Sequence, residues 1–240
     1  MINEPTSSEE QSRLAEKCKV VFQILVDNYG RPEWKQSLPP VDELVCTILS
    51  QSTSDINRDK GFTALTERFP DWQTVMDAPE DQVIDAIRPA GLANQKGPRI
   101  QAALRTIHEQ QGTIELDFLD DMTLPAAKSW LTRLKGVGPK TAAILLLFTF
   151  GRPAFPVDTH VHRITRRVGL IGPRVTAAKA HDILEEMGDS ETFYPFHINL
   201  IRHGREICLA RNPKCAVCPL RDDCDYYQFQ LLDTEEPNSV

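Results

Sequence analysis

From Ala142 to Phe148 the chain reads Ala-Ala-Ile-Leu-Leu-Leu-Phe, apolar at every position. A helix made from such a run has no polar face and must be covered on every side. It is also far too short to cross a bilayer, which takes about 20 apolar residues. The cover must therefore come from the rest of the protein. The pattern predicts a central helix over 139–150, with Lys140 at its N-terminus held rigidly at the edge of the core.

The surrounding sequence supplies helices to do the covering. Leu14, Cys18, Val21, Phe22 and Leu25 keep a three-and-four spacing until Gly30-Arg31-Pro32, which stops a helix. Val41, Leu44, Val45, Ile48 and Leu49 repeat the spacing after Pro39-Pro40. Further helices are expected near residues 64, 74, 84, 103, 164, 181 and 201. One more is expected over 125–134, opening with Pro125 in its first turn. No stretch alternates with period two, so strands should be almost absent. The class is all-α.

Charge narrows the partners. The net charge is −7, which at first argues against nucleic acid. Residues 1–17 carry four Glu against Arg13 and Lys17, and residues 225–240 carry four acids and no base, so the body between is nearly neutral. Within it Arg133, Lys135, Lys140, Arg152, Arg163, Arg166 and Arg167 face only Asp158 over residues 133–167. A local basic patch, rather than the total, decides what docks. The N-terminus lacks the basic and apolar segments of a secretory signal, so a cytoplasmic protein is expected, nucleoid-associated and without a membrane partner.

Gly136-Val137-Gly138 joins two helical segments. Glycine permits positive φ and close backbone approach, and a tight turn feeding a helix N-terminus offers free N–H groups to an anion. Lys135, Gly136, Val137, Gly138 and Thr141 thus make a candidate grip on a nucleic-acid backbone, although the same glycines also suit a plain turn. A helix of about twelve residues runs roughly 18 Å. The Gly151–Val157 connection, at about 3.3 Å per residue, spans roughly 23 Å, long enough to bring Asp158 back near Lys140. Positive helix ends disfavour an ammonium and favour a carboxylate. Lys140 would then be an amine nucleophile able to form a Schiff base with a sugar aldehyde, and Asp158 a stabiliser of developing positive charge. Equally, Asp158 before Thr159-His160-Val161 has the form of an N-cap, and Lys140 that of a phosphate contact.

Of six cysteines, Cys18 and Cys46 sit in amphipathic helical patterns and should be small core residues. Cys208, Cys215, Cys218 and Cys224, separated by six, two and five residues, supply four thiolates for a metal or cluster. The Cys215–Cys218 interval suits zinc and iron–sulfur alike. With all four positions taken by protein, the site is structural.

Together these residues resemble the iron–sulfur branch of the helix-hairpin-helix DNA glycosylase/AP lyase family, that of endonuclease III. Four stretches carry the resemblance: Ile48-Leu49-Ser50-Gln51, Gly91-Leu92-Ala93-Asn94-Gln95-Lys96, the hairpin with Val157-Asp158-Thr159-His160, and the cysteine loop after His203-Gly204-Arg205. It implies two helical domains with a cleft between them. A six-helix barrel with the hairpin would occupy 33–152, and a 4Fe–4S cluster domain on the four cysteines 9–32 and 153–226, with 1–8 and 227–240 as flexible tails. It implies a monomer acting on double-stranded DNA that carries damaged pyrimidines or abasic sites. Lys140 would displace the oxidised base and nick the strand 3′ to the lesion by β-elimination, with Asp158 supporting base loss. Gln51 would fill the gap left by the flipped nucleotide, and Ser50 and His160 would line the pocket. Pro139 and the run Ser52-Thr53-Ser54-Asp55 depart from the common bacterial pattern. A mismatch-specific thymine or uracil glycosylase and a non-enzymatic damage-binding module are the alternatives. The adenine-specific branch lacks a lysine at the position of Lys140 and needs a carboxylate where Cys46 and Thr47 stand.

Overall fold

The computed structural model describes residues 8–229, and all regular structure among them is helical, with no strand. The expected tails 1–8 and 227–240 lie mostly outside the described residues; Ser8 and residues 227–229 are helical. The chain divides into two compact units, Lys35–Arg152 and a second formed by the segments up to Trp34 and from Pro153.

The unit Lys35–Arg152 holds seven of the α-helices. They are α2 (Pro40–Ser50), α3 (Asp55–Arg68), α4 (Trp72–Asp77), α5 (Glu80–Ala86), α6 (Ala93–Gln111), α7 (Leu124–Leu131) and α8 (Pro139–Phe150). α2 packs against α3, α6 and α8, and α6 against α4 and α5. Each apolar position of the α2 pattern (Val41, Leu44, Val45, Ile48 and Leu49) is buried, as are Ile100, Leu104 and Ile107 of α6. α8 buries Ala142, Ala143, Leu145, Leu146 and Leu147, as an all-apolar run requires. Proline stands in the first turn of α2, α7 and α8, where the missing N–H costs nothing. α7 stops three residues before its expected end. Arg133 and Leu134 instead make tight i→i−3 bonds to Trp130 and Leu131, which turn the chain towards Gly136.

The other unit contains α1 (Ser8–Tyr29), α9 (Thr159–Val168), α10 (Ala177–Met187) and α11 (Phe193–Glu206). α11 packs on α1 and α9, and α10 on α1 and α9. Val21, Leu25, Val161, Ile164, Leu184, Phe196 and Leu200 are all buried in its core. Cys18 is buried there as expected, and burial pushes its thiol up to about 11. Cys46 in α2 is only half-buried. No helix among the described residues is long and apolar enough to cross a membrane.

Candidate functional site

The hairpin forms as the glycines dictate. Gly136 adopts φ +89°, a left-handed conformation that side chains resist. A side chain there would also strike Arg99, whose Cδ lies 2.8 Å from the position a Cβ would take. Val137 turns its side chain into the core, and Thr141 is likewise buried. Their contribution to a ligand is therefore backbone only. Gly138 caps α8 with no side-chain bond, leaving the first-turn N–H groups of Lys140 and Thr141 without carbonyl partners inside the helix. Pro139, at the same end, removes one donor from that array. Lys135 and Lys140 are exposed, and Lys140 has no hydrogen-bond or ion-pair partner among the described residues.

Gln51 caps the C-terminus of α2 and is held beside the hairpin at both ends of its amide. Nε2 donates to the Gly136 carbonyl at 2.9 Å, and Arg99 Nη1 donates to Oε1 at 3.3 Å. The unusual run after it makes a tight turn: Ser52 has φ +53°, and Ser54 caps α3 by accepting from the Asn57 N–H. Ser50 spends its hydroxyl on the Thr47 carbonyl, 2.7 Å away.

Asp158 is the N-cap of α9: its Oδ1 accepts from the Val161 N–H at 2.7 Å. The cap uses one carboxylate oxygen and fixes the direction of the other. The segment leading to it is clamped by groups that sequence reasoning missed. Phe155 N–H donates to Glu185 at 2.8 Å. His181 Nδ1 bonds the Phe155 carbonyl at 2.8 Å, and His197 Nδ1 the Pro156 carbonyl at 2.9 Å. Histidines on the apolar faces of α10 and α11 were the available signal. His160 Nδ1 lies 3.1 Å from Arg163 Nη2; since a guanidinium only donates, this nitrogen accepts and the proton sits on Nε2.

Two arginines counted in the basic patch point inwards. Arg163 donates to the carbonyls of Cys208 and Gly204, at 2.9 and 3.0 Å. Arg167 donates to the carbonyls of Leu209 and Ala210 and to Cys208 Sγ, the last at 3.3 Å. Loop carbonyls and the Cys208 sulfur, rather than a phosphate, are what these side chains meet. Gly204 permits the close approach of α9 to α11, because a Cβ there would fall 2.8 Å from His160 Cβ.

The four cysteines beyond α11 are all unbridged and feel one another's charge. Burial raises Cys218 to about 11, with Cys208, Cys224 and Cys215 adding to it. Burial likewise raises Cys215 and Cys224, again reinforced by neighbouring thiols. Such thiols deprotonate together only against a compensating cation. Among the described residues no three His, Cys, Asp or Glu converge tightly enough for a single ion. Four mutually interacting thiols fit a cluster, whose iron corners each take one thiolate.

A tight glycine turn opening onto a buried helix, an exposed lysine just past it and a four-thiol loop define a helix-hairpin-helix protein with an iron–sulfur segment. Residues 45–189 match the HhH-GPD superfamily of base excision DNA repair proteins, and residues 208–224 the iron–sulfur binding domain of endonuclease III. Endonuclease III of Thermotoga maritima is 33% identical over 82% of this chain and 88% of its own. That of Sulfolobus acidocaldarius is 34% identical over 77% and 81%. An endonuclease III–DNA complex superimposes with TM-score 0.78 at 24% identity, covering 91% of this chain and 98% of that one. A thermostable thymine-DNA glycosylase does so with TM-score 0.74 at 20% identity, covering 89% and 98%. The chain belongs to the endonuclease III branch of the HhH-GPD superfamily: it is a base-excision DNA glycosylase with a 4Fe–4S cluster.

Proposed function

We propose that the chain is a bifunctional glycosylase and AP lyase that removes oxidised pyrimidines from double-stranded DNA. The observation that carries this reading is Lys140, an exposed amine one residue beyond the hairpin–helix junction, without a partner among the described residues. Binding alone needs no such group there. In the reaction the Lys140 Nζ lone pair attacks C1′ and the damaged base departs with the bonding electrons. The sugar ring opens to a Schiff base. Loss of a C2′ proton then breaks the C3′–O bond, which nicks the strand 3′ to the lesion. Asp158 stabilises the positive charge that develops on the sugar as the base leaves; a carboxylate anchored through one oxygen is suited to hold still while it does so.

The hairpin N–H groups bind the phosphate backbone without reading sequence. Gln51 enters the space vacated by the flipped nucleotide, leaving its bonds to Gly136 and Arg99. Ser50 and His160 border the pocket. Cys208, Cys215, Cys218 and Cys224 are the cluster ligands, and the cluster, when bound, holds the loop in shape rather than reacting with DNA.

Borohydride should trap a covalent complex on DNA containing an abasic site or an oxidised pyrimidine, and Lys140→Gln should abolish it. Trapping that persists in Lys140→Gln protein would refute the lyase assignment. The same gels run across oxidised pyrimidines and T·G or U·G mismatches separate the proposed substrate class from a mismatch-specific one.

A further inference from the structure

His203, in the last turn of α11, is 1% exposed, yet both of its ring nitrogens are engaged. Nδ1 lies 3.0 Å from the Tyr29 hydroxyl, and Nε2 lies 3.6 Å from Cys218 Sγ. The ring makes no other side-chain bond among the described residues. A neutral imidazole has one N–H and one lone pair, so one contact fixes the sense of the other. A thiolate ligand can only accept. Nε2 must then carry the proton, Nδ1 must accept, and Tyr29 must donate.

We propose that Tyr29 and His203 form a directional relay that donates a hydrogen bond to the Cys218 thiolate and raises the reduction potential of the cluster this loop binds. Reduction adds negative charge, part of which resides on the ligand sulfurs. A donor aimed at one of them stabilises the reduced state more than the oxidised one. Tyr29 is itself held in place: the Arg202 guanidinium lies over its ring, 4.8 Å from the centroid, and the ring meets His203 edge-on at 6.0 Å. Among the described residues, the other side-chain donor to one of these sulfurs, Arg167 to Cys208, belongs to a side chain that also braces two loop carbonyls. The His203 ring has no such bracing bond, which leaves the sulfur as the target of its N–H. The inference does not depend on the lyase chemistry.

The test uses the holoprotein in protein-film voltammetry, with the electron supplied by the electrode, and resonance Raman spectra of the iron–thiolate stretches. His203→Phe should shift the potential down and the stretches up, because the sulfur loses its donor. Tyr29→Phe, which frees the tautomer, should move both in the same direction by less. His203→Gln, which restores an N–H, should recover most of the wild-type potential. Potentials and bands of Tyr29→Phe and His203→Phe that match wild type at full iron content would overturn the relay. Should His203→Phe fail to hold iron, Tyr29→Phe against wild type decides by the same two readouts.

Discussion

Lys96 is 1% exposed, a rare place for an ammonium, and its surroundings explain why it is tolerated. Nζ donates to the carbonyls of Leu49 at 2.8 Å and Ala90 at 2.7 Å, at the C-terminal ends of α2 and of the 3-10 turn Arg88–Ala90. Positive charge is favoured at helix C-termini. Lys96→Met should orphan both carbonyls and destabilise the protein by roughly 1–3 kcal/mol for each, read as a lower urea midpoint at unchanged slope. A loss within error would mean that water replaces the amine. Burial lowers the Lys96 pKa, so between that value and an unfolded pKa of about 10.4 the unfolded chain binds more protons. Stability relative to Lys96→Met should therefore rise with pH across that window. Gly136 is the second sensitive position. Gly136→Ala forces a left-handed residue, costing about 1–2 kcal/mol, and pushes Arg99 off the hairpin. Melting temperature and affinity for abasic-site DNA should both fall; a variant that keeps both would show that neither the backbone angle nor the Arg99 contact matters.

Helix positions were legible because burial imposes a period. Val41, Leu44, Val45, Ile48 and Leu49 announce α2, and each is buried. What the period does not report is which polar face looks inwards. Arg163 and Arg167, one turn apart on α9, read as solvated bases available to DNA, yet they brace the cysteine loop. Only the partner's location decides that, and it lies more than forty residues along the chain. The start of α6 carries no comparable signal: Pro98 lies inside the helix, a residue that more often breaks one. Lys140 and Asp158 stand out as candidates because their neighbours are distinctive, whereas the Glu185, His181 and His197 clamp on the Asp158 segment had no sequence motif. The packing of α9 on α11 yields its own prediction. Gly204→Ala inserts a Cβ 2.7 Å from His160 Nδ1, an overpacking that costs about 1–3 kcal/mol. Since Arg163 bonds the Gly204 carbonyl, the cysteine loop should loosen too, with less iron and less visible absorbance per protein. Full iron content in Gly204→Ala protein would show the loop to be independent of that packing.

The helical cores and the cysteine loop are ordered by different means. In Lys35–Arg152 the apolar α8 is covered by α2 and α7, and hydrophobic burial accounts for its order. Beyond α11 the chain has little of this. Cys215–Val217 and Arg221–Asp223 are single 3-10 turns without buried residues, and Leu220 and Cys224 are the buried apolar side chains of the segment. Its backbone bonds are mostly short-range, such as Cys218 N–H to the Cys215 carbonyl and Arg221 N–H to the Cys218 carbonyl. A segment with so few apolar contacts takes its order from metal–ligand bonds. Removing the iron by oxidation and chelation should therefore raise amide hydrogen exchange across residues 207–224. Exchange should rise next at the C-terminal turns of α9 and α11, whose Arg167 and His203 contact the Cys208 and Cys218 sulfurs. Amides of α8 should keep their protection, because α2 and α7 cover it through apolar burial. Exchange mass spectrometry of holo and iron-free protein measures this directly. Loss of protection in α8 together with the loop would mean that the cluster stabilises the chain as one cooperative body, and the division of its stability into an apolar unit and a metal-dependent loop would fall.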